Sequence, residues 1–244
     1  MTERDYLGPD SRRVQQMFAG IAHRYDFLNH FLSASVDRRW RSIAVRKVRD
    51  LTGPSPALCL DACSGTGDLA IALHRSLHTA VIASDFCHPM LTRAKRKFAG
   101  SNIRTIEADA LQLPFPDASF DALTIAFGLR NLEDLQRGLQ EIRRVLKAGG
   151  AAVILEFSKP VVPVFSHAFN FYFRHVLPLL GAVVSGHSNA YQYLPDSVRK
   201  FPDQKQLLGL MRDAGFSETG YRNLTGGIAA LHWGRKGLIP VRTL

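Results

Sequence analysis

The sequence predicts an α/β fold: a mostly parallel seven-stranded sheet that closes with an antiparallel hairpin. Three observations carry this. Short apolar runs alternate with stretches of helical period across residues 58–157, the pattern of parallel strands joined by helical crossovers. A glycine-rich turn, Ser64-Gly65-Thr66-Gly67, joins the first strand to the first crossover helix. Near the end, Phe216–Leu224 and 228–234 are separated only by Thr225-Gly226-Gly227, and so short a link makes an antiparallel pair because parallel strands need a long crossover.

At 244 residues and 46% hydrophobic content, the chain is expected to form one domain around one substantial core. Residues 1–52 form a helical cap and 53–236 the α/β core, with a helical insertion at 163–195 and a tail at 237–244. The formal charge of +10 and a pI near 9.9 suit either nucleic acid or an anionic membrane surface, and charge does not choose between them. Residues 1–13 are polar and charged and carry no secretory signal, so a cytoplasmic protein is expected. Cys59, Cys63 and Cys87 form no CxxC or Cys/His cluster, so neither a disulfide framework nor a metal site is expected.

In chain order, residues 14–33 read as a helix, with Tyr25 and Asn29 four apart on one face and able to present a hydroxyl and an amide together. A second helix, 37–51, has an apolar stripe of Trp40, Ile43 or Ala44, Val48 and Leu51. Its Arg38, Arg39, Arg41, Arg46, Lys47 and Arg49 read as a solvated face, or more sharply as a membrane-facing one. Gly53-Pro54-Ser55-Pro56 breaks the chain before the first strand. That strand, 58–60, closes on Asp61. A helix over Asp68–Leu77 packs Leu69, Leu73 and Leu77; strand 81–83 is followed by Asp85, and strand 103–106 by Asp109-Ala110. The fourth strand, 119–127, ends in Gly128-Leu129-Arg130-Asn131, placing Arg130 and Asn131 in the crevice that holds the glycine turn. Helix 133–146 has the core stripe Leu135, Leu139, Ile142 and Leu146 and is stopped by Lys147-Ala148-Gly149-Gly150. A fifth strand, 151–157, contains Glu156, and a last helix, 204–214, stops at Gly215.

Gly65-x-Gly67-x-x-Ala70 also fits a dinucleotide fingerprint, in which two phosphates rest on the helix N-terminus. The acids argue otherwise. Asp61 and Asp68 surround that position with negative charge, which suits a ligand bearing an ammonium and a sulfonium: S-adenosylmethionine (SAM). Asp85 then falls where a ribose diol expects an acceptor, and Asp109 where an adenine amino group does.

Six motifs together resemble the ubiquinone/menaquinone biosynthesis C-methyltransferase family: Tyr25-Asp26-x-x-Asn29, Leu60-Asp61-x-x-x-Gly65-Thr66-Gly67-Asp68, Leu113-Pro114-Phe115-Pro116-Asp117, Phe127-Gly128-Leu129-Arg130-Asn131, Leu155-Glu156-Phe157-Ser158-Lys159-Pro160 and Asn223-Leu224-Thr225-Gly226-Gly227-Ile228. The resemblance spans about residues 14–236, and Ser35 and Asp37 depart from the Gly and His of many members. It implies a class I SAM-dependent methyltransferase, Rossmann-like, with a polyprenylated quinol as acceptor. Demethylmenaquinol is the first expectation and a 2-methoxy-6-polyprenyl-1,4-benzoquinol the alternative.

Cofactor positions are then expected at Asp61, Gly65, Thr66, Gly67, Asp85, Asp109, Ala110 and Phe127, catalytic ones at Arg130, Asn131 and Tyr25, and substrate contacts at Asn29, Tyr191 and Tyr193. Arg130 is expected to stabilise a developing phenolate, with Asn131 and Tyr25 orienting the ring oxygens. No metal and no nucleic acid are expected. Peripheral membrane contact at the inner face of the cell membrane, and homo-oligomerisation, are compatible with the sequence. The apolar stretch 163–186 is expected to form either a lid over the polyprenyl tail or a helix pair on the core.

Overall fold

The structure is a computed structural model and describes residues 8–22, 36–162 and 188–238, without the side chains of 188–192. The helices are α1 (Ser11–Ile21), α2 (Val36–Thr52), α3 (Asp68–Leu77), α4 (His88–Lys97), α5 (Leu135–Val145), α6 (Ser188–Lys200) and α7 (Gln204–Asp213). The strands are β1 (Leu58–Ala62), β2 (Ala80–Asp85), β3 (Ile103–Glu107), β4 (Phe120–Ala126), β5 (Leu146–Phe157), β6 (Phe216–Leu224) and β7 (Ala229–Lys236).

The seven strands form one sheet in the order β3-β2-β1-β4-β5-β7-β6. The first five are parallel, and β7 inserts antiparallel between β5 and β6, as the short Thr225–Gly227 turn requires. Pleating sends alternate residues to opposite faces. Leu60, Ala62, Leu123, Ile125, Ala152 and Ile154 pack under α5 and α7, while Cys59, Val81, Ala83, Ala122, Val153 and Leu155 pack under α2, α3 and α4. Both faces of the central strands are covered, which is why β4 and β5 read as nearly continuous apolar runs.

Two boundaries differ from the sequence expectation. The helix expected over 133–146 ends at Val145, and Leu146 has extended geometry (φ −74°, ψ 140°). Leu146 pairs with Phe120, so β5 begins there and is twelve residues long; the Gly149-Gly150 step lies inside the strand, where the β4 register shifts. Second, α1 starts at Ser11 because Asp10 accepts from the Arg13 N–H at 3.0 Å and caps it. The rest of the expected first helix, with Tyr25 and Asn29, lies outside the described residues, as does the stretch 163–186.

Candidate active site

β1, β2 and β4 all end at one edge of the sheet, and there the chain encloses a cleft of about 930 Å³ including its open mouth. Asp61, Cys63, Ser64, Gly65 and Thr66 form one wall; Asp85 and Phe86 follow β2, and Ala108, Asp109, Ala110 and Leu111 follow β3. Ala126, Phe127, Gly128 and Asn131 close the β4 side, and Ser11 and Phe18 of α1 lie across the mouth.

The glycine turn is held by its own carboxylate. Asp85 accepts from the Gly65 N–H at 2.8 Å through one oxygen and from the Cys87 N–H at 2.9 Å through the other. Burial pushes its carboxyl up to about pH 6 against those N–H bonds. Gly65 (φ 55°) and Gly67 (φ 84°) take left-handed geometry. Gly65 lines the cleft and Gly67 stands just behind it. A Cβ on Gly67 would stand 2.1 Å from the Phe98 ring, so the glycine makes room for the core.

Asp61 is 1% exposed; one oxygen accepts from the Thr124 hydroxyl at 2.7 Å and the other, Oδ2, has no partner among the described residues. Burial first, then partial relief from Thr124, the charge of Arg41 and the nearby Ala70 N–H, sets its carboxyl at about 7. The Ser64 hydroxyl is likewise buried and unpartnered on the same wall. Asp68 behaves differently from expectation, being joined to Lys97 Nζ at 2.5 Å, so much of its charge is already balanced. Asp109 is exposed and caps its own turn by accepting from the Leu111 N–H at 2.9 Å, with Ala110 buried beside it. Phe127 has φ 59°, unusual for an aromatic residue, and packs on Phe157 at 4.7 Å between ring centroids and on Trp40 at 6.0 Å.

Arg130 corrects the sequence reading. Its side chain is 6% exposed and turned inward, donating to Glu156 Oε1 at 2.7 Å and to the Phe127 carbonyl at 2.6 Å. It lies over the Phe157 ring and is not part of the cleft wall. Asn131 does reach the wall, and the Tyr193 hydroxyl donates to its Oδ1 at 2.8 Å. Tyr193 keeps its proton near neutrality, because burial raises it to about 12 against the pull of Arg130. Tyr25 and Asn29 lie outside the described residues, and Tyr191 is placed in α6 by its backbone alone.

Sequence reasoning missed Arg41. Unlike a cation on a solvated face, it is 8% exposed, paired with Asp37 and part of the cleft wall. Its signal was the acid at i−4, which places Asp37 beside it on the same helix face. Glu133 was also missed. It accepts from the Ser11 N–H at 2.6 Å, and its carbonyl accepts from the Gly8 N–H at 3.0 Å, tying the start of α1 across the cleft.

An acid-lined cleft at the carboxyl ends of a 3-2-1-4-5-7-6 sheet defines a class I SAM-dependent methyltransferase fold. A SAM-dependent methyltransferase from Thermotoga maritima shares it at 16% identity, with a TM-score of 0.62 over 91% of this chain and 99% of that one. Within that class the chain belongs to the ubiE/COQ5 methyltransferase family, whose sequence profile matches residues 7–236. It is 49% identical to the demethylmenaquinone methyltransferase of Deinococcus radiodurans, over 91% of this chain and 92% of that protein. It is 46% identical to the ubiquinone/menaquinone biosynthesis C-methyltransferase UbiE of Geobacter sulfurreducens, over 95% and 91%.

Proposed function

We propose that this protein methylates a ring carbon of a polyprenylated quinol with SAM as donor, demethylmenaquinol being the first acceptor, in respiratory quinone biosynthesis. The observation that carries the donor is Asp61 Oδ2, a buried acceptor with no partner among the described residues, in a cleft whose charged lining is acidic but for Arg41. Those residues fit the group: Asp61 for its ammonium, Asp85 with Gly65 and Thr66 for the ribose side, Asp109 and Ala110 for the adenine, Phe127 against its length. When bound, SAM supplies an electrophilic methyl on a cationic sulfur. The naphthoquinol preference rests on the 49% identical Deinococcus relative, named for demethylmenaquinone.

The acceptor must be reduced. A quinol that loses a ring-hydroxyl proton places negative charge on the adjacent ring carbon, whereas a quinone carbon is electron-poor. Asn131 offers its amide N–H to a ring oxygen, and Tyr193 fixes that amide by donating to its oxygen. Arg130 acts from beneath as a positioning residue, holding the loop that carries Asn131 against Glu156. Tyr25, Asn29 and Tyr191 complete the acceptor side in this reading. Transfer of an isotope-labelled methyl to chemically reduced demethylmenaquinol, with the oxidised quinone as control, tests the assignment by mass spectrometry. Label in the quinol alone supports it; no label in protein that binds SAM by calorimetry overturns the acceptor.

A polyprenyl acceptor resides in a bilayer, so the protein works in the cytoplasm against the inner face of the membrane. Val161 and Val162 are 57% and 39% exposed, and both N–H groups bond the Gly226 carbonyl. Trp40 donates to Thr225 Oγ1 at 3.0 Å, joining α2 to the turn that holds Val161 and Val162, and Arg38 and Arg39, just before Trp40 on α2, are exposed. An apolar tip beside arginines suits an anionic headgroup layer. Flotation with phosphatidylglycerol vesicles should exceed flotation with phosphatidylcholine, and should fall for Val161→Ser with Val162→Ser.

A further inference from the structure

Five acids contribute to the cleft wall, Asp61, Asp68, Asp85, Asp109 and Glu133, and a single cation does among the described residues: Arg41. That pattern describes a ligand of net positive charge carrying one anionic group. Arg41 is held at Nη1 by Asp37, one turn earlier on α2, and Asp68 Oδ2 stands 3.7 Å from the same nitrogen. Among the described residues no other hydrogen bond to its guanidinium is present, so the rest of the fork remains for something else. Asp68 is drawn to Lys97 at 2.5 Å, which lessens its hold on Arg41. Across the same wall lies Asp61 Oδ2, which has no partner among the described residues.

We propose that Arg41 receives the α-carboxylate of the donor's amino-acid end while Asp61 receives its ammonium, so that the pair reads the zwitterion. This rests on SAM as donor and adds the residue that distinguishes it from adenosyl sulfonium compounds lacking the carboxylate. A guanidinium suits the task, because its planar fork meets a carboxylate with two parallel N–H bonds and one edge is already fixed by Asp37. The arrangement also explains why a buried arginine sits at the start of a cationic helix: Asp37 orients it and the ligand completes its bonding.

Calorimetric titration of the intact protein with SAM and with decarboxylated SAM tests this without any turnover. The wild type should bind SAM roughly tenfold or more tightly than the decarboxylated compound. Arg41→Gln should bring that ratio close to one by weakening SAM alone, Arg41→Lys should restore part of it, and Asp37→Asn should retain a clear preference. Equal weakening of both ligands by Arg41→Gln would show a structural pin, and an unchanged ratio would place the carboxylate on backbone N–H groups; either overturns the proposal. Should Arg41→Gln unfold, Arg41→Lys carries the same readout. A wild type that binds neither compound overturns the donor assignment instead.

Discussion

Burying the Asp61 carboxylate costs the fold stability at neutral and alkaline pH. Its carboxyl is raised to about 7 in the fold against an ordinary value near 4. A raised acid contributes stability while it holds the proton, and that contribution is lost as pH rises through about 7. Asp61→Asn should therefore raise the melting temperature of ligand-free protein at pH 8 by a few degrees, with less effect at pH 5, while weakening SAM at least tenfold. Scanning fluorimetry with calorimetry decides this, and an unchanged SAM affinity would remove Asp61 from the site. Arg130 gives the opposite case. Arg130→Ala leaves Glu156 buried without its partner, a loss of about 3–5 kcal/mol visible in urea unfolding. Arg130→Met with Glu156→Leu should regain most of that stability and little turnover. The strand-end acids were legible because position alone puts them at the cleft. Arg130 was legible as important but not in its direction, because an inward partner twenty-six residues away leaves no local mark.

α1 is tied down at separate points along its length. Glu133 binds its first turn, and Gln15 Nε2 donates to the Phe86 carbonyl at 2.5 Å. Gly8 is fixed by space, since a Cβ there would lie 1.9 Å from the Leu132 carbonyl oxygen. Glu133→Ala should speed hydrogen exchange across Ser11–Ile21 and hasten SAM release several-fold; exchange confined to the wild-type rate would show that the latch is idle. The alternation of β and α and the final hairpin were readable from period and turn length. The end of α5 was not, because Leu146 continues the helical stripe yet answers to its partner Phe120 in the sheet. α6 runs past the end of the helical insertion expected at 163–195, because the helix continues through Pro195 to Lys200.

The pH limits of the fold involve a group far from the cleft. His232 is 2% exposed between the hairpin and α7, bonded to the Gln204 carbonyl at 2.9 Å, and burial lowers it to about 4. The folded form refuses a proton that the unfolded chain accepts near 6.5, so stability is lost as pH falls from there toward 4. His232→Gln, which keeps a donor for that carbonyl, should flatten the acid limb of the stability curve over that interval; an unaltered limb would assign it to the carboxylates instead.

The placing of β7 between β5 and β6 also sets an order of events. Residues 151–157 pair with 229–235, so a chain emerging from the ribosome exposes one whole edge of β5, seven consecutive residues of it buried in the finished sheet, until its last strand arrives. Unpaired apolar edges of this kind recruit other chains. A chain cut short before Ala229 should therefore be lost to aggregation even though every cleft acid is already present.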